Sequence, residues 1–464
     1  MRRPAAALAA ALVTTATAAV GQDISLNRPG SGARAAGMGN AFIAVSDDGT
    51  AASWNPAGLS QLRKPEFSLV HTTGHRELSL EGYRTRDESS AFTTLTTGNT
   101  VADIEFASAA VPFSVAGKPV TLQVGWRRLY QLTSRLHGDT RRVPLSSGAR
   151  PESVIRFDNA TDGKIDVWSL AGAVRFTSRL SLGFSLDHYS GGWEDQLNGS
   201  EDPGVLGPTD LMSSVISNRV GGNSLGLGLL LAYPAFRVGL VYHGALESDY
   251  EVSQSTLSSL TEPSAASFGP VVLHFPRSIG LGVAWRPKPL LQLALDFTYD
   301  EWTQFLVESM PQSPGVALSG FDNLPPELSA TRDTVTVNAG MEKLFPVKGK
   351  YVPLRLGASL EPQGGRDPLL RDGLDYLILA AGSGLNTNSF KLDLAVDYRW
   401  GSYRHTLDLS PVYRVGRAPE LGLPPPPEAQ GSAAIREWRF KLSLIYRVTN
   451  TGKLKDGLRK VFGS

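Results

Sequence analysis

Between Asp166 and Val448 the chain repeats one hydrophobic pattern, in which about ten residues alternate between apolar and polar and then reach a turn. Stretches 180–186, 279–285 and 390–400 follow this rule at nearly every position. Successive side chains of a β-strand point to opposite faces of a sheet, so each stretch predicts a strand with one apolar and one polar face. About ten residues is also the length of a tilted strand that crosses a bilayer. The pattern therefore predicts an all-β fold, a transmembrane antiparallel β-barrel.

The connections between the predicted strands alternate between short and long. Bacterial barrels have short periplasmic turns and long outer loops, so this alternation predicts about fourteen strands with both termini in the periplasm. The segment 404–415 also resembles a strand, but Pro411 interrupts its ladder, and we place it within the last outer loop. The short connections lie near 115–117, 178–179, 234–235, 286–289, 348–350 and 386–388, and the long ones near 74–102, 132–164, 191–223, 247–274, 301–333, 362–374 and 401–434.

The polar faces of the predicted strands carry charges of both signs. We expect these side chains to pair with one another along a hydrated inner wall of the barrel, rather than to form a binding site. They are Arg175, Asp187, Asp296, Lys391, Asp393, Asp397, Arg439, Lys441 and Arg447.

The composition restricts the functions that fit this barrel. Charged residues make up 19% of the 464 residues, below the roughly 25% of soluble proteins. A net charge of +1 gives no field that favours nucleic acid. The chain has no cysteine, which excludes disulfides, thiolate metal sites and cysteine nucleophiles. A Gly-x-Ser-x-Gly motif is absent and the histidine spacing matches no metal site, so we predict neither an enzyme nor a metal or cofactor site.

The two ends of the chain are predicted to lie outside the barrel. Arg2 and Arg3 precede an apolar stretch and small residues, which is typical of a secretory signal peptide, predicted here over 1–22. Beyond it, no apolar run is long enough for a transmembrane helix. The barrel is predicted over 64–448. Residues 449–464 are predicted to form a periplasmic tail, which either trails freely or lies on the inner leaflet.

Residues 23–63 lack the alternation and are rich in glycine and alanine. Ser46 and Asp48 can cap a short helix over 49–53, and Asn55-Pro56 followed by Ala-Gly predicts a turn. Such a backbone packs closely in a confined space. Because a barrel of this size has a lumen that would leak unless filled, we predict that 23–63 fills it.

Two short motifs in residues 23–63 also resemble those of a known protein family. Gly-Met-Gly-Asn-Ala-Phe at 37–42 and Trp-Asn-Pro-Ala-Gly-Leu at 54–59 resemble the N-terminal hatch of the FadL family of outer-membrane transporters for hydrophobic compounds. Stretches 274–283 and 296–302 are similar to that family too. The resemblance implies a fourteen-stranded barrel plugged by a hatch that gates the passage. It assigns the gate to Phe42, Trp54, Asn55, Pro56 and Ala57. PorV-like outer-membrane accessory proteins carry nearly the same motif.

The resemblance further implies that outer loops capture the ligand on short amphipathic helices. Residues 209–216 predict a capped helical turn with Leu211, Met212, Val215 and Ile216 on one face. Leu257 and Leu260 have helical spacing in the loop 247–274. These residues form an apolar groove for lipid-like molecules, or they pack the loops onto each other.

The sequence thus predicts a channel in the outer membrane of a Gram-negative bacterium for passive uptake of hydrophobic molecules, such as long-chain fatty acids or aromatic hydrocarbons. The alternative is a PorV-like structural or secretion-accessory barrel. A barrel of either kind would be monomeric, would be inserted by the barrel-assembly machinery, and would have lipopolysaccharide and other outer-membrane lipid as neighbours.

Overall fold

A computed structural model describes residues 27, 30–86, 88–145, 152–202, 210–258, 264–308, 317–321, 324–407 and 429–449. The predicted signal peptide 1–22 and nearly all of the predicted tail 449–464 lie outside the described residues.

The described chain is dominated by β-strands that belong to one sheet of 20 strands. Their bounds are Glu66–Thr85 (β1), Ser90–Phe92 (β2), Leu95–Val115 (β3), Lys118–Gln131 (β4), Ser134–Pro144 (β5), Ser153–Arg175 (β6), Leu180–Asp202 (β7), Asp210–Ala232 (β8), Phe236–His243 (β9), Leu246–Ser258 (β10), Ser264–Phe275 (β11), Ser278–Lys288 (β12), Leu291–Asp300 (β13), Leu306–Glu308 (β14), Ala317–Ser319 (β15), Thr334–Val347 (β16), Lys350–Arg366 (β17), Gly373–Asn386 (β18), Phe390–Leu407 (β19) and Ala429–Arg447 (β20).

The sheet closes on itself, because β20 pairs antiparallel with β1 from Glu66 opposite Arg447 onward. Antiparallel pairing runs around the ring through β1, β3, β4, β6, β7, β8, β9, β12, β13, β16, β17, β18, β19 and β20. The remaining strands pair beyond this ring, toward the ends of the long hairpins. Closure gives each strand of the ring a neighbour on both sides, as a barrel in a membrane requires.

In the strands of the ring, large apolar residues point outward. On β12 the large residues Ile279, Leu281 and Val283 are 43%, 44% and 41% exposed, while Gly282 and Ala284 between and after them are buried. A soluble sandwich would bury the large residues instead. The structure therefore confirms a transmembrane antiparallel barrel with an apolar outer surface.

The strand count differs from the prediction. About fourteen strands is too few for a sheet of 20, because the predicted long loops are themselves strands. In β7, for example, 23 residues continue without a break well past the length that crosses a bilayer. Of the doubtful segment 404–415, residues up to Leu407 extend β19, and the rest lies outside the described residues.

The predicted helix over 209–216 is wrong, because residues from Asp210 onward form β8. Val215 and Ile216 are β-branched and favour a strand, and β8 has a partner on each side, β7 and β10. Leu257 lies in β10 rather than on a helix, and Leu260 falls outside the described residues.

The helical elements are short. Within the part of the chain that the structure describes, they comprise one α-helix, Ala33–Gly37 (α1), and the 3-10 helices Ala51–Ser53, Pro56–Gln61 and Trp302–Gln304. Residues 49–53 are thus helical in part, and the Asp48 carboxylate accepts hydrogen bonds from the Thr50 backbone N–H (3.0 Å) and hydroxyl (2.6 Å). Among the described residues, no helix is long and apolar enough to cross a membrane.

Candidate functional site in the barrel interior

Residues 30–62, which we call the N-terminal segment, lie inside the ring and touch its wall on several sides. A Cβ at Gly357 of β17 would overlap the backbone of Gly39. On another side, a Cβ at Gly183 of β7 would overlap the backbone of Ala57. Glycine is required at these wall positions because two backbones approach so closely only where no side chain intervenes. The segment is therefore fitted closely against the barrel wall.

Asn55 joins this segment to the wall through both ends of its side-chain amide. Its Oδ1 accepts a hydrogen bond from the backbone N–H of Ala57 (3.1 Å), which caps the helix that begins at Pro56. Its Nδ2 donates to the carbonyl oxygens of Ile43 (3.2 Å) and of Leu229 in β8 (3.1 Å). The Asn-Pro-Ala motif thus links two parts of the N-terminal segment to one strand of the ring.

Phe42 and Trp54 meet edge to face in the same segment, with ring centroids 5.9 Å apart. Both rings are buried, and the Trp54 Nε1 donates to the carbonyl oxygen of Ser31 (2.8 Å). The backbone N–H groups of Phe42 and Ile43 both donate to one carboxylate oxygen of Asp296 in β13, at 2.6 and 2.8 Å. The five residues that the resemblance assigns to a gate are therefore brought together inside the barrel.

A continuous chain of ion pairs fastens the N-terminal segment to the wall. Basic and acidic groups alternate along it, so the chain as a whole carries no net charge. Buried charges are tolerated when they are paired in this way. The successive N···O distances are 3.7 Å for Arg237–Asp47, 2.5 Å for Asp47–Arg34, 2.9 Å for Arg34–Glu342, 2.6 Å for Glu342–Arg355, 2.8 Å for Arg355–Asp393, 3.5 Å for Asp393–Lys391 and 2.5 Å for Lys391–Asp48.

The carboxylates of the N-terminal segment keep their charge despite burial. Burial acts to raise the pKa of the Asp48 carboxyl, but Lys391 and Arg34 outweigh it and hold this pKa well below its ordinary value. The pKa of Asp47 is lowered in the same way, against the effect of burial, by Arg34 and Arg237. At neutral pH Asp47 and Asp48 are therefore charged.

A large apolar cluster occupies the barrel interior beyond the N-terminal segment, toward the long hairpins. In β7, for instance, Gly183 faces the segment, whereas Tyr189 and Trp193 lie farther along the same inward-facing row. Apolar residues inside a barrel that are not exposed to lipid offer a surface for hydrophobic ligands. The cluster consists of Tyr130, Leu132, Ile165, Val167, Tyr189, Trp193, Ile216, Val220, Leu246, Tyr250, Val252, Val271, Leu273, Phe275, Trp302, Phe305, Val307 and Phe321.

Several polar groups in and beside this cluster hydrogen-bond to each other. Asp195 is fully buried and accepts hydrogen bonds from the Thr161 hydroxyl (2.6 Å) and the Trp193 Nε1 (3.1 Å). The Tyr250 hydroxyl donates to the Oδ1 of Asn218 (2.9 Å). These contacts orient the rings of Trp193 and Tyr250, which stack with centroids 6.2 Å apart. The surface that the cluster offers is thus apolar.

The hydrogen-bonded wall is interrupted between β3 and β4. Their ladder runs from the short turn to Phe106 opposite Arg127, and within these two fully described strands no residue of 95–105 pairs with β4. Beyond that point β3 pairs with β1 alone among the ring strands, and β4 keeps only its pairing with β6, which runs from Val120 to Gln131. We call this interruption the wall gap. Side chains close it, since Arg128 contacts both Asp103 across the gap and Asp166 of β6.

A cavity of about 200 Å³ reaches the wall gap from inside. Asp103, Arg128, Leu129 and Tyr130 line it. Leu129 and Tyr130 also line a small apolar cavity of about 10 Å³ at the edge of the apolar cluster. Leu129 and Tyr130 therefore lie between the apolar cluster and the larger cavity, whose remaining lining is largely polar and includes Glu105, Arg439 and Lys441.

Several solved structures resemble this barrel over nearly their whole length. A Pseudomonas aeruginosa FadL homologue aligns with a TM-score of 0.61 at 14% identity, over 92% of this chain and 99% of its own. The Pseudomonas putida toluene transporter TodX aligns with a TM-score of 0.57 at 14% identity, over 91% of this chain and 100% of its own. The Ralstonia pickettii toluene transporter TbuX aligns with a TM-score of 0.55 at 14% identity, over 91% and 99%.

The chain has the FadL-type fold. The resemblance stated from residues 37–59 and 274–302 is thereby confirmed at the level of the fold. No protein-family model matches the chain, and no curated protein matches it in sequence.

The FadL-type barrel separates the other predicted ligand-binding residues. Ile216 lies in the apolar cluster and is fully buried, while Leu257 is 59% exposed near the end of a hairpin. Leu211 and Met212 belong to β8, and Leu260 lies outside the described residues. Ile216 and Leu257 therefore lie in different surroundings, one inside the barrel and one exposed, while a groove that includes the other residues stays a prediction. Within the described ranges, no group of three or more histidine or acidic side chains could hold a metal ion.

Sequence reasoning missed most of the apolar cluster and all of the wall gap. The cluster residues come from distant strands and share no local motif. The sequence does contain one sign of the wall gap. Leu129 and Tyr130 break the alternation of apolar and polar residues at the end of β4, where the pairing with β6 shifts register.

Proposed function

We propose that the protein is an outer-membrane channel of a Gram-negative bacterium for the passive uptake of hydrophobic molecules, such as alkylbenzenes or long-chain fatty acids. The observation that carries this proposal is the apolar cluster inside the barrel, which adjoins a gap in the barrel wall while the N-terminal segment fills the direct path. The toluene transporters named above have the same fold, which supports the proposal.

The route follows from the polarity of the interior. A hydrophobic molecule gains by leaving water, and the buried rings of Phe275, Phe305 and Trp302 offer it an apolar surface. The direct way to the short-turn end meets the N-terminal segment and its ion pairs, where such a molecule would have to displace buried charges. We therefore propose that the ligand leaves sideways, past Leu129 and Tyr130, through the wall gap into the membrane.

Arg128 is one of the side chains that close this exit, together with Asn99, whose Nδ2 donates to the carbonyl oxygen of Thr133 (3.0 Å). The Arg128 guanidinium bridges Asp103 on one side of the gap and Asp166 on the other, and its side chain is 9% exposed. Outside the gap, Trp168 and Leu170 of β6 are 55% and 48% exposed on the outer surface. A molecule that passes Arg128 would enter an apolar environment directly.

Residues 23–63, which include the N-terminal segment, act as the hatch in this proposal. Phe42, Trp54, Asn55, Pro56 and Ala57 hold it in place. Its fit against Gly183 and Gly357 keeps polar solutes from crossing the lumen. Transport of this kind needs no cofactor, because the gradient of the ligand drives it.

Purified protein in liposomes tests the function. We expect faster uptake of toluene or a long-chain fatty acid than in empty liposomes, with no faster uptake of a sugar of similar size. Equal rates with and without the protein for every alkylbenzene and fatty acid tested would contradict the proposal. Stable co-purification with other envelope proteins, together with unchanged uptake, would assign the barrel to an accessory role instead.

A further inference from the structure

The short-turn end of the barrel carries charge of a single sign. Seven windows cover the short turns and the end of the last strand, and none contains aspartate or glutamate. All of them except 385–390 contain basic residues: 113–119, 175–180, 232–237, 285–291, 343–351, 385–390 and 446–449. Arg237 and Arg447 in these windows pair with Asp47 and Glu66 inside the barrel. Six basic side chains at this end are exposed, and we call them the basic collar: Lys118, Arg179, Lys288, Lys343, Lys348 and Lys350.

The basic collar is exposed, and its members form no ion pair with any residue that the structure describes. They are spread over four short turns, those between β3 and β4, β6 and β7, β12 and β13, and β16 and β17. Cations spaced in this way around a barrel repel one another. An arrangement of one sign without counter-charges indicates an anionic partner that surrounds the barrel.

The hairpin end of the barrel is different. There, Arg141 lies 3.6 Å from Glu152, and Arg156 lies 3.7 Å from Asp139. The absence of acidic residues is therefore specific to the short-turn end. It does not follow from the composition of the chain, whose net charge is +1.

Aromatic rings place the basic collar at the edge of the apolar surface. The Lys118 Nζ lies 4.8 Å from the ring centroid of Phe176, which is 53% exposed. The Lys343 Nζ lies 5.0 Å from the ring of Phe345, which is 40% exposed. Aromatic rings next to cations at the border of an apolar band are typical of the headgroup level of a bilayer. The cations are thus held at the depth where lipid phosphates lie.

We propose that the basic collar binds the headgroups of anionic phospholipids in the leaflet next to the short turns. Anionic headgroups attract basic side chains at a membrane surface, and the attraction fades within about 10 Å at 0.1 M salt. The proposal needs the barrel to span a membrane, but it does not need transport. Failure of the uptake assay therefore leaves it standing.

The test compares two full-length variants in bilayers that contain spin-labelled phosphatidylglycerol or phosphatidylcholine. One variant carries Lys118→Gln, Arg179→Gln, Lys343→Gln and Lys348→Gln. The matched control carries Arg84→Gln, Arg86→Gln, Arg135→Gln and Arg219→Gln, which removes four exposed cations away from the short turns. Both variants are first checked for a folded barrel by the heat-dependent shift of their gel mobility.

We expect the wild type to enrich phosphatidylglycerol over phosphatidylcholine in its lipid shell roughly five-fold at 0.1 M salt. The enrichment should fall close to one in the collar variant and in 1 M NaCl, and should persist in the control. Enrichment that survives in the collar variant, or that falls equally in both variants, would overturn the proposal. Absence of enrichment in the wild type, with binding of a polyglutamate peptide in detergent, would assign the basic collar to an acidic polypeptide and overturn it as well.

Discussion

Arg34 of the N-terminal segment grips Glu342 of β16 with two parallel hydrogen bonds, from its Nε to Oε2 at 3.0 Å and from its Nη2 to Oε1 at 2.9 Å. Such a bidentate pair fixes the planes of both groups as well as their distance. It joins the N-terminal segment to the barrel wall within the chain of ion pairs. The segment is thus held by directional contacts as well as by its shape.

Glu342→Ala should loosen the N-terminal segment. The change leaves Arg34 and Arg355 buried without their shared carboxylate, and removal of one partner of a buried pair costs about 3 to 5 kcal/mol. We expect faster proteolysis of residues 30–62 and a lower apparent Tm in detergent. As a control, Glu301→Ala removes an ion pair with Arg277, whose side chain is 53% exposed, and should have little effect on either readout.

The contribution of Asp48 should depend on pH in a defined direction. Because its folded pKa is lowered, Asp48 stabilises the folded state at a pH above its unfolded value of about 3.9 and loses this effect as the pH falls further. Asp48→Asn should therefore lower the apparent Tm at pH 7, and the difference from wild type should shrink below pH of about 4. A difference that grows on acidification would contradict the assignment.

Gly357→Ala should displace the N-terminal segment, because a Cβ there would overlap the backbone of Gly39. We expect polar solutes of low mass to leak through the barrel in liposomes. Gly125→Ala is the matched control, since a Cβ at this glycine would meet its nearest atoms, Ala107 O and Ser108 Cβ, at 3.7 Å, an ordinary contact. Equal leakage from the two variants would show that the segment does not seal the lumen.

Asn55→Ala should make the barrel leak and raise the uptake of hydrophobic ligands. It removes the hydrogen bonds to Ile43 and Leu229, and each is worth about 1 kcal/mol. Gln61→Ala serves for comparison, because the Gln61 Nε2 donates to Ser46 (2.8 Å) within the segment and leaves the wall contacts in place. Wild-type behaviour of Asn55→Ala in conductance and in uptake would remove this residue from the gate.

The barrel could be predicted from the sequence because each membrane strand faces lipid on one side and the polar lumen on the other, which makes apolar and polar residues alternate. Lipid outside and a polar lumen inside impose a period of two, as at Ile279, Leu281 and Val283. The paired inner wall was predicted for the same reason, and Lys391 and Asp393 do pair there. Above the membrane this constraint ends, and the period becomes less regular. The pattern over 209–216 therefore predicts a helix, although residues 210–216 form part of a strand.

The contents of the barrel were predictable in part. The motif around Asn55 marked the N-terminal segment, since its turn chemistry is local. Its partners on the wall were not predictable, because Asp296 lies 254 residues from Phe42 in sequence. The wall gap depends on a pairing that stops at Phe106, and no local pattern specifies where a ladder ends.

The most direct test of the account is to fasten the wall gap shut. The chain has no cysteine, so Asp103→Cys with Arg128→Cys gives one addressable pair across the gap. A bismaleimide with a cleavable disulfide spacer can join the two thiols, and toluene uptake into liposomes is measured before joining, after joining and after reduction. The account predicts that joining suppresses uptake and that reduction restores it. Unchanged uptake with both thiols joined would contradict a sideways exit between β3 and β4.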